Sequence, residues 1–180
     1  MGRPSEDDDE NEDDDEEACM SAKVLLIGYG NPGRMDDGLG PAFAEVVEKM
    51  GIPDLMVDAD YQLTVEDAAD IAGSDVVVFV DASVVGPEPF FFRAVEPSGE
   101  PGFSTHSIAP EAVMALAYEL FGAKTKGYVL GIKGYTFNEF GEGLSAGAMK
   151  NLAMAVKVME PVFRAGTFDL AVADRNMLKK

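Results

Sequence analysis

Three groups of side chains in this chain can share a cation: the acids of Met35-Asp36-Asp37-Gly38, Asp81 closing Val76-Val77-Val78-Phe79-Val80, and His106, the sole histidine, before an expected helix. Two carboxylates and an imidazole form a three-ligand set that suits a borderline divalent ion such as zinc or nickel and leaves positions open for water or substrate. Each residue also has a plainer reading. An acid at Asp37 would interact favourably with a helix dipole, and a lone loop histidine is commonly structural. Asp81 differs, because an acid closing an apolar strand is costly unless hydrogen-bonded. Convergence of all three at one place would make them a site.

Two further motifs compete for attention. Gly28-x-Gly30-x-x-Gly33 directly after an apolar run satisfies the dinucleotide-binding pattern. A pyrophosphate needs bare backbone N–H groups and a positive helix end, whereas Asp36 and Asp37 stand just before the helix and Pro32 removes one donor. A tight strand-to-helix turn that needs glycines for its backbone is the better reading. Gly143-Leu144-Ser145-Ala146-Gly147 has the form of a hydrolase nucleophile elbow. An elbow requires a strand leading into the serine and a histidine after it, but here a loop leads in and His106 comes earlier. Ser145 is expected to be an N-cap. With no side-chain nucleophile in credible company, water is the attacking group in any hydrolysis.

These residues need a frame, and the periodicity supplies one by alternating strand and helix from residue 23 onward. Strands are expected at Lys23 to Tyr29, Leu55 to Asp58, Asp75 to Asp81, Pro89 to Val95 and Tyr128 to Ile132. Helices are expected at Gly40 to Met50, Val65 to Ala72, Ala109 to Phe121 and Ser145 to Arg164, with Gly166 to Lys180 harder to assign. The continuous apolar run before Asp81 marks the centre of the sheet. Only seven residues, Ala82 to Glu88, separate the third and fourth strands, too few for a parallel crossover, so the fourth runs antiparallel. In the last helix Met149, Leu152, Val156, Met159 and Phe163 repeat at three and four, as core packing would. Parallel first and third strands place the start of the first helix and the end of the third strand at one carboxyl edge. The loop before the Ala109 helix, about ten residues and up to roughly 30 Å when extended, can bring His106 back to the same edge. Ligands of open α/β sheets bind in a crevice there.

Composition narrows the partners. The chain has 180 residues, 47 % of them apolar, enough for one domain with a core. Net charge is −19, and eleven acids lie between Glu6 and Glu17; outside the first 17 residues the balance is still −9. Residues 1–19 therefore read as a disordered acidic tail, and residues 20–180 as a single α/β domain for which Met20 is an alternative start. Nucleic acid and anionic membranes are poor partners for such a body. The single cysteine, Cys19, builds neither a disulfide nor a metal cage. No apolar run reaches the roughly 20 residues that span a bilayer, and the acidic start is unlike a signal peptide. A cytoplasmic monomer is the expectation.

The block Ile27-Gly28-Tyr29-Gly30-Asn31-Pro32-Gly33-Arg34-Met35-Asp36-Asp37-Gly38-Leu39-Gly40-Pro41, with Val80-Asp81-Ala82, His106, Gly131-Ile132 and Gly143-Leu144-Ser145, resembles the hydrogenase maturation endopeptidases. That family removes a C-terminal peptide from the large-subunit precursor of nickel-iron hydrogenases. The resemblance covers about residues 23 to 164, and its first block is the specific part. It implies a three-layer α/β/α sandwich around a five-stranded mixed sheet with one antiparallel strand. It also implies that Asp37, Asp81 and His106 are the catalytic, metal-contacting residues, with Asp36 supporting them. The metal would be nickel already carried by the precursor, polarising the scissile carbonyl or activating water, although zinc or another divalent ion could occupy the isolated protein. The aromatic loop Tyr135, Phe137 and Phe140 could dock the precursor or pack onto its own scaffold. Lys133-Gly134-Tyr135 departs from the acidic or proline-containing stretch of many members. The rival is peptidyl-tRNA hydrolase, which opens with the same Gly-x-Gly-Asn-Pro-Gly but needs a histidine and an asparagine where this chain has Arg34-Met35-Asp36-Asp37. A non-catalytic metal or nucleotide module is the third possibility.

Overall fold

A computed structural model describes residues 22–98 and 108–173. The acidic segment, Cys19, Met20 and His106 lie outside them. The elements in chain order are β1 (Val24–Tyr29), a 3₁₀ turn (Met35–Gly38), α1 (Leu39–Glu48), β2 (Leu55–Asp60), α2 (Asp67–Ala72), β3 (Val76–Ser83), β4 (Phe90–Val95), α3 (Pro110–Phe121), β5 (Lys126–Lys133), α4 (Ala146–Ala165) and α5 (Phe168–Ala173). The sheet order is β2-β1-β3-β5-β4. All pairings are parallel except β4 with β5, which is antiparallel. The fourth strand thus runs in the expected direction, with β5 inserted between it and β3.

Side-chain alternation along the buried strands sends residues to two cores. On one face Leu26, Val78, Val80 and Leu130 meet Phe43 of α1, Met159 and Phe163 of α4, and Phe168 of α5. On the other, Leu25, Ile27, Val77, Phe79 and Val129 meet Ile71 of α2 with Val113 and Met114 of α3. The result is helices on both faces of one mixed sheet. Val77 to Val80 have no exposed area, as expected of the central strand. Each such side chain contributes about 1.5–3 kcal/mol by leaving water.

Several boundaries move, for identifiable reasons. β5 begins two residues earlier and ends one later than its apolar run, because β3 supplies ladder partners out to Lys126 and Lys133. β2 extends to Asp60, paired with Tyr29 of β1. The segment after Gly166 forms the short helix α5, held where Phe168 stacks on Tyr128 with ring centres 5.5 Å apart. In α4, Met159 and Phe163 are buried and Leu152 and Val156 partly so, but Met149 is 53 % exposed and lies outside the core. The buried face of α4 runs through Ala148, Asn151, Ala155 and Met159, which turns Met149 away from the sheet. No helix among the described residues is long and apolar enough to cross a membrane.

Candidate functional site

The site begins where β1 runs out. A Cβ on Gly28 would lie 2.3 Å from the Gly40 carbonyl oxygen, and one on Gly40 would lie 2.3 Å from the Tyr29 oxygen and 2.5 Å from the Val80 oxygen. Two glycines therefore let the first turn of α1 sit directly on the ends of β1 and β3. That contact brings Asp37, two residues before α1, near Asp81, which follows the buried run of β3. Gly30 makes the turn at φ +138°, a conformation side chains avoid, with its α-hydrogens against the Asp37 carbonyl.

The loop between β1 and α1 has already spent its donors. Gly30 N–H donates to the Asp60 carbonyl at 3.1 Å, and Asn31 N–H donates to Asp37 Oδ2 at 3.1 Å. Gly33 N–H donates to Asn31 Oδ1 at 2.9 Å, and Arg34 N–H to the Asn31 carbonyl at 3.0 Å. A pyrophosphate would find no cradle of free amides, so the glycine pattern serves the turn.

Asp36 and Asp37 leave the 3₁₀ turn in opposite senses. Asp37 is partly exposed at the carboxyl edge, whereas Asp36 has no exposed area. The Asp36 carboxylate accepts from Tyr135 N–H at 2.8 Å, Thr136 N–H at 3.0 Å, Ser145 N–H at 2.6 Å and the Ser145 hydroxyl at 2.7 Å. Burial works against its charge, but the hydrogen bonds from Ser145, Tyr135 and Thr136 outweigh it and hold the carboxyl below its ordinary range. The sequence offered one signal of this division: two adjacent acids in a tight turn cannot face the same way.

Asp81 lies near the end of β3, its Oδ1 accepting from Ala82 N–H at 2.7 Å. Burial pushes its carboxyl up to about 6, the Ala82 hydrogen bond opposes this, the nearby charge of Asp37 adds to it, and the Tyr29 phenol opposes it. Tyr29 is itself pushed upward, chiefly by burial and then by Asp81, and so stays a neutral donor beside that carboxyl. Tyr29 was not singled out by motif, since a single aromatic at a strand end carries no pattern. The first turn of α3 faces the same place: the charge of Glu111, paired with Arg93 at 2.9 Å, reaches Tyr29.

The structure thus brings Asp37 and Asp81 together. His106, four residues before Pro110, lies outside the described residues. Among those residues no group of three His, Cys, Asp or Glu side chains gathers as a metal site. Asp37 and Asp81 are near enough for the charge of Asp37 to act on the desolvated carboxyl of Asp81. Ser145 is the N-cap of α4, its Oγ accepting from Ala148 N–H at 3.2 Å while its own proton goes to Asp36. It is not a nucleophile in waiting.

The aromatic loop divides. The Tyr135 hydroxyl donates to Glu88 at 2.8 Å and accepts from Asn151 Nδ2 at 2.9 Å, and Phe137 packs over Gly134. Both are scaffold. Phe140 is 92 % exposed.

The sequence matches no protein-family model and no curated protein. Solved structures do share the fold. The crystal structure of the NiFe hydrogenase maturation protease HycI from Thermococcus kodakarensis superposes with a TM-score of 0.63 at 23 % identity, covering 79 % of this chain and 93 % of that one. The hydrogenase maturating endopeptidase HybD from Escherichia coli gives 0.61 at 20 % identity, with 80 % and 93 % covered. An uncharacterized protein from Wolinella succinogenes gives 0.57 at 25 % identity, with 82 % and 99 % covered. The α/β fold of this chain is therefore shared with these structures.

Proposed function

We propose that this protein is an endopeptidase that removes the C-terminal extension of a nickel-iron hydrogenase large-subunit precursor after nickel has been inserted. The observation that carries the reading is the pairing of Asp37 with Asp81 at the carboxyl edge of the sheet, in a fold shared with solved maturation proteases. The nickel belongs to the substrate on this reading. A pair of carboxylates at the edge, with His106 as the third ligand, suits a metal that arrives already held by its own protein better than one the enzyme must retain alone.

Nickel supplies polarisation of the scissile carbonyl. The chain's own residues do the rest. Asp37 is held in place by the Asn31 N–H, and Asp81 by the Ala82 N–H, so both present their carboxylates without reorganisation. A cation held by the pair would relieve the repulsion that Asp37 imposes on Asp81. Water attacks the carbonyl carbon; a carboxylate oxygen left free accepts its proton and returns it to the departing amine as the C–N bond breaks. Phe140, 92 % exposed, is the aromatic of its loop offered to the precursor, whereas the half-exposed Tyr135 is tied to Glu88 and Asn151.

The peptidyl-tRNA hydrolase and nucleotide readings are less well supported, because the loop amides that would hold phosphate are occupied within the turn. The test is incubation with nickel-loaded and nickel-free precursor from the same host, read by intact mass. Truncation of the loaded form alone is expected. Truncation of neither form by folded protein would overturn the reading.

A further inference from the structure

We infer that the groove beside the 3₁₀ turn is a subsite for one aliphatic side chain of the polypeptide being cut; the inference rests on the endopeptidase reading and deepens it. The groove, of about 180 Å³, is walled by Pro32, Met35, Pro41, Ala42 and Leu144. That is room for one branched side chain, well below the roughly 300–1,000 Å³ of a typical small-molecule pocket.

Its position ties it to the candidate catalytic pair. Met35 and Gly38, which flank Asp36 and Asp37 in the turn, both line it. A side chain seated here therefore belongs to a residue close to the bond lying over Asp37 and Asp81. The walls are set before any peptide arrives. Met35 holds φ +52°, an unfavourable conformation for a side-chain-bearing residue, fixed by its N–H donating to the Gly141 carbonyl at 3.1 Å and by Gly141 N–H donating to the Gly33 carbonyl at 3.1 Å. These bonds lock the turn to the loop that carries Leu144, so the two sides of the groove keep their spacing.

Among its lining residues Glu45 alone is charged, and it is paired with Lys49 at 2.6 Å. The walls that remain are apolar, which suits an aliphatic side chain.

The test uses a fluorescein-labelled peptide spanning the precursor's cleavage junction and a set in which each of its aliphatic residues is changed in turn to alanine. Binding to the full chain is read by anisotropy and turnover is measured separately. One alanine peptide is expected to bind the wild type about tenfold more weakly, the size of effect that lost methylenes produce in an apolar pocket. Ala42→Leu, which fills the groove from a partly exposed helix position, should bind the parent peptide about tenfold more weakly and no longer distinguish it from that alanine peptide. Val46→Leu enlarges α1 outside the groove and should bind as wild type. If Ala42→Leu is misfolded by circular dichroism, Ala42→Val takes its place. Undiminished binding and discrimination in the filled variant would overturn the subsite, as would failure of the wild type to bind the parent peptide. Binding of the peptide with the expected discrimination, together with failure to truncate the nickel-loaded precursor, would sustain the subsite and overturn the endopeptidase reading.

Discussion

The carboxylate of Asp36 takes both the N–H and the hydroxyl of Ser145, at 2.6 and 2.7 Å, joining the turn before α1 to the cap of α4 across 109 residues of chain. The same carboxylate holds Tyr135 and Thr136, so one buried charge fixes the loop that follows β5 against the turn that carries Asp37. Replacing Asp36 by alanine strands three partly buried N–H groups. We expect a loss of about 3 kcal/mol or more in urea unfolding, since each orphaned donor costs about 1–3 kcal/mol. Because the Asp36 carboxyl is held below its ordinary range, its stabilisation is present above the unfolded value and is lost as pH falls through the folded one. Asp36→Asn should therefore show a flatter loss of stability below about pH 4 than the wild type.

Asp81 gives the opposite sign. Its carboxyl is raised to about 6 in the fold, so the neutral form is favoured there. The contribution is fully present below the unfolded value near 4 and is lost as pH rises through 6. In metal-free buffer, Asp81→Asn should be more stable than the wild type at pH 7.5 by about 1–3 kcal/mol and no different at pH 4. The same variant should lose precursor cleavage by at least about 100-fold, a typical share for a lost acid–base group. Equal stability at both pH values would count against the burial and repulsion described for this carboxyl.

Ser145→Ala separates two roles. Loss of the cap and of one bond to Asp36 should cost about 1–2 kcal/mol of stability. Cleavage per folded molecule should stay within a fewfold of wild type. A drop of about 10⁴, as for removal of a serine nucleophile, would restore the elbow reading.

Gly40→Ala tests the seat of the site. The added carbon would meet two backbone oxygens that cannot rotate away, at 2.3 and 2.5 Å. We expect at least about 3 kcal/mol of destabilisation, at or beyond the usual range for overpacking. Cleavage should fall even in the fraction that folds, because α1 must lift off the strand ends.

Phe140→Ala should leave the urea midpoint unchanged, within about 0.5 kcal/mol for an exposed site. It should raise the KM for precursor severalfold with kcat retained. Phe137→Ala, whose ring packs over Gly134, should lower stability instead.

Much of this protein was legible from its residues alone. The apolar run ending at Asp81 fixed the central strand, because only a strand covered on both faces tolerates five consecutive apolar side chains. The short Ala82 to Glu88 connection dictated the direction of β4, and Ser145 before a helical run announced a cap. These are local or chain-length arguments, and they need no partner. What the tertiary structure decided depends on residues far apart in sequence. Asp36 and Asp37 are chemically identical neighbours, and only the arrival of Tyr135, Thr136 and Ser145 determines that the first is buried as an anchor while the second stays at the edge. Tyr29 gained a role only when β3 placed Asp81 beside it, and Met149 lost its core position because α4 buries the face of Ala148, Asn151 and Ala155 instead. Periodicity records which face of an element is apolar; it does not record how far a neighbouring element reaches to cover it, and long-range packing sets the fate of each polar side chain at the edge.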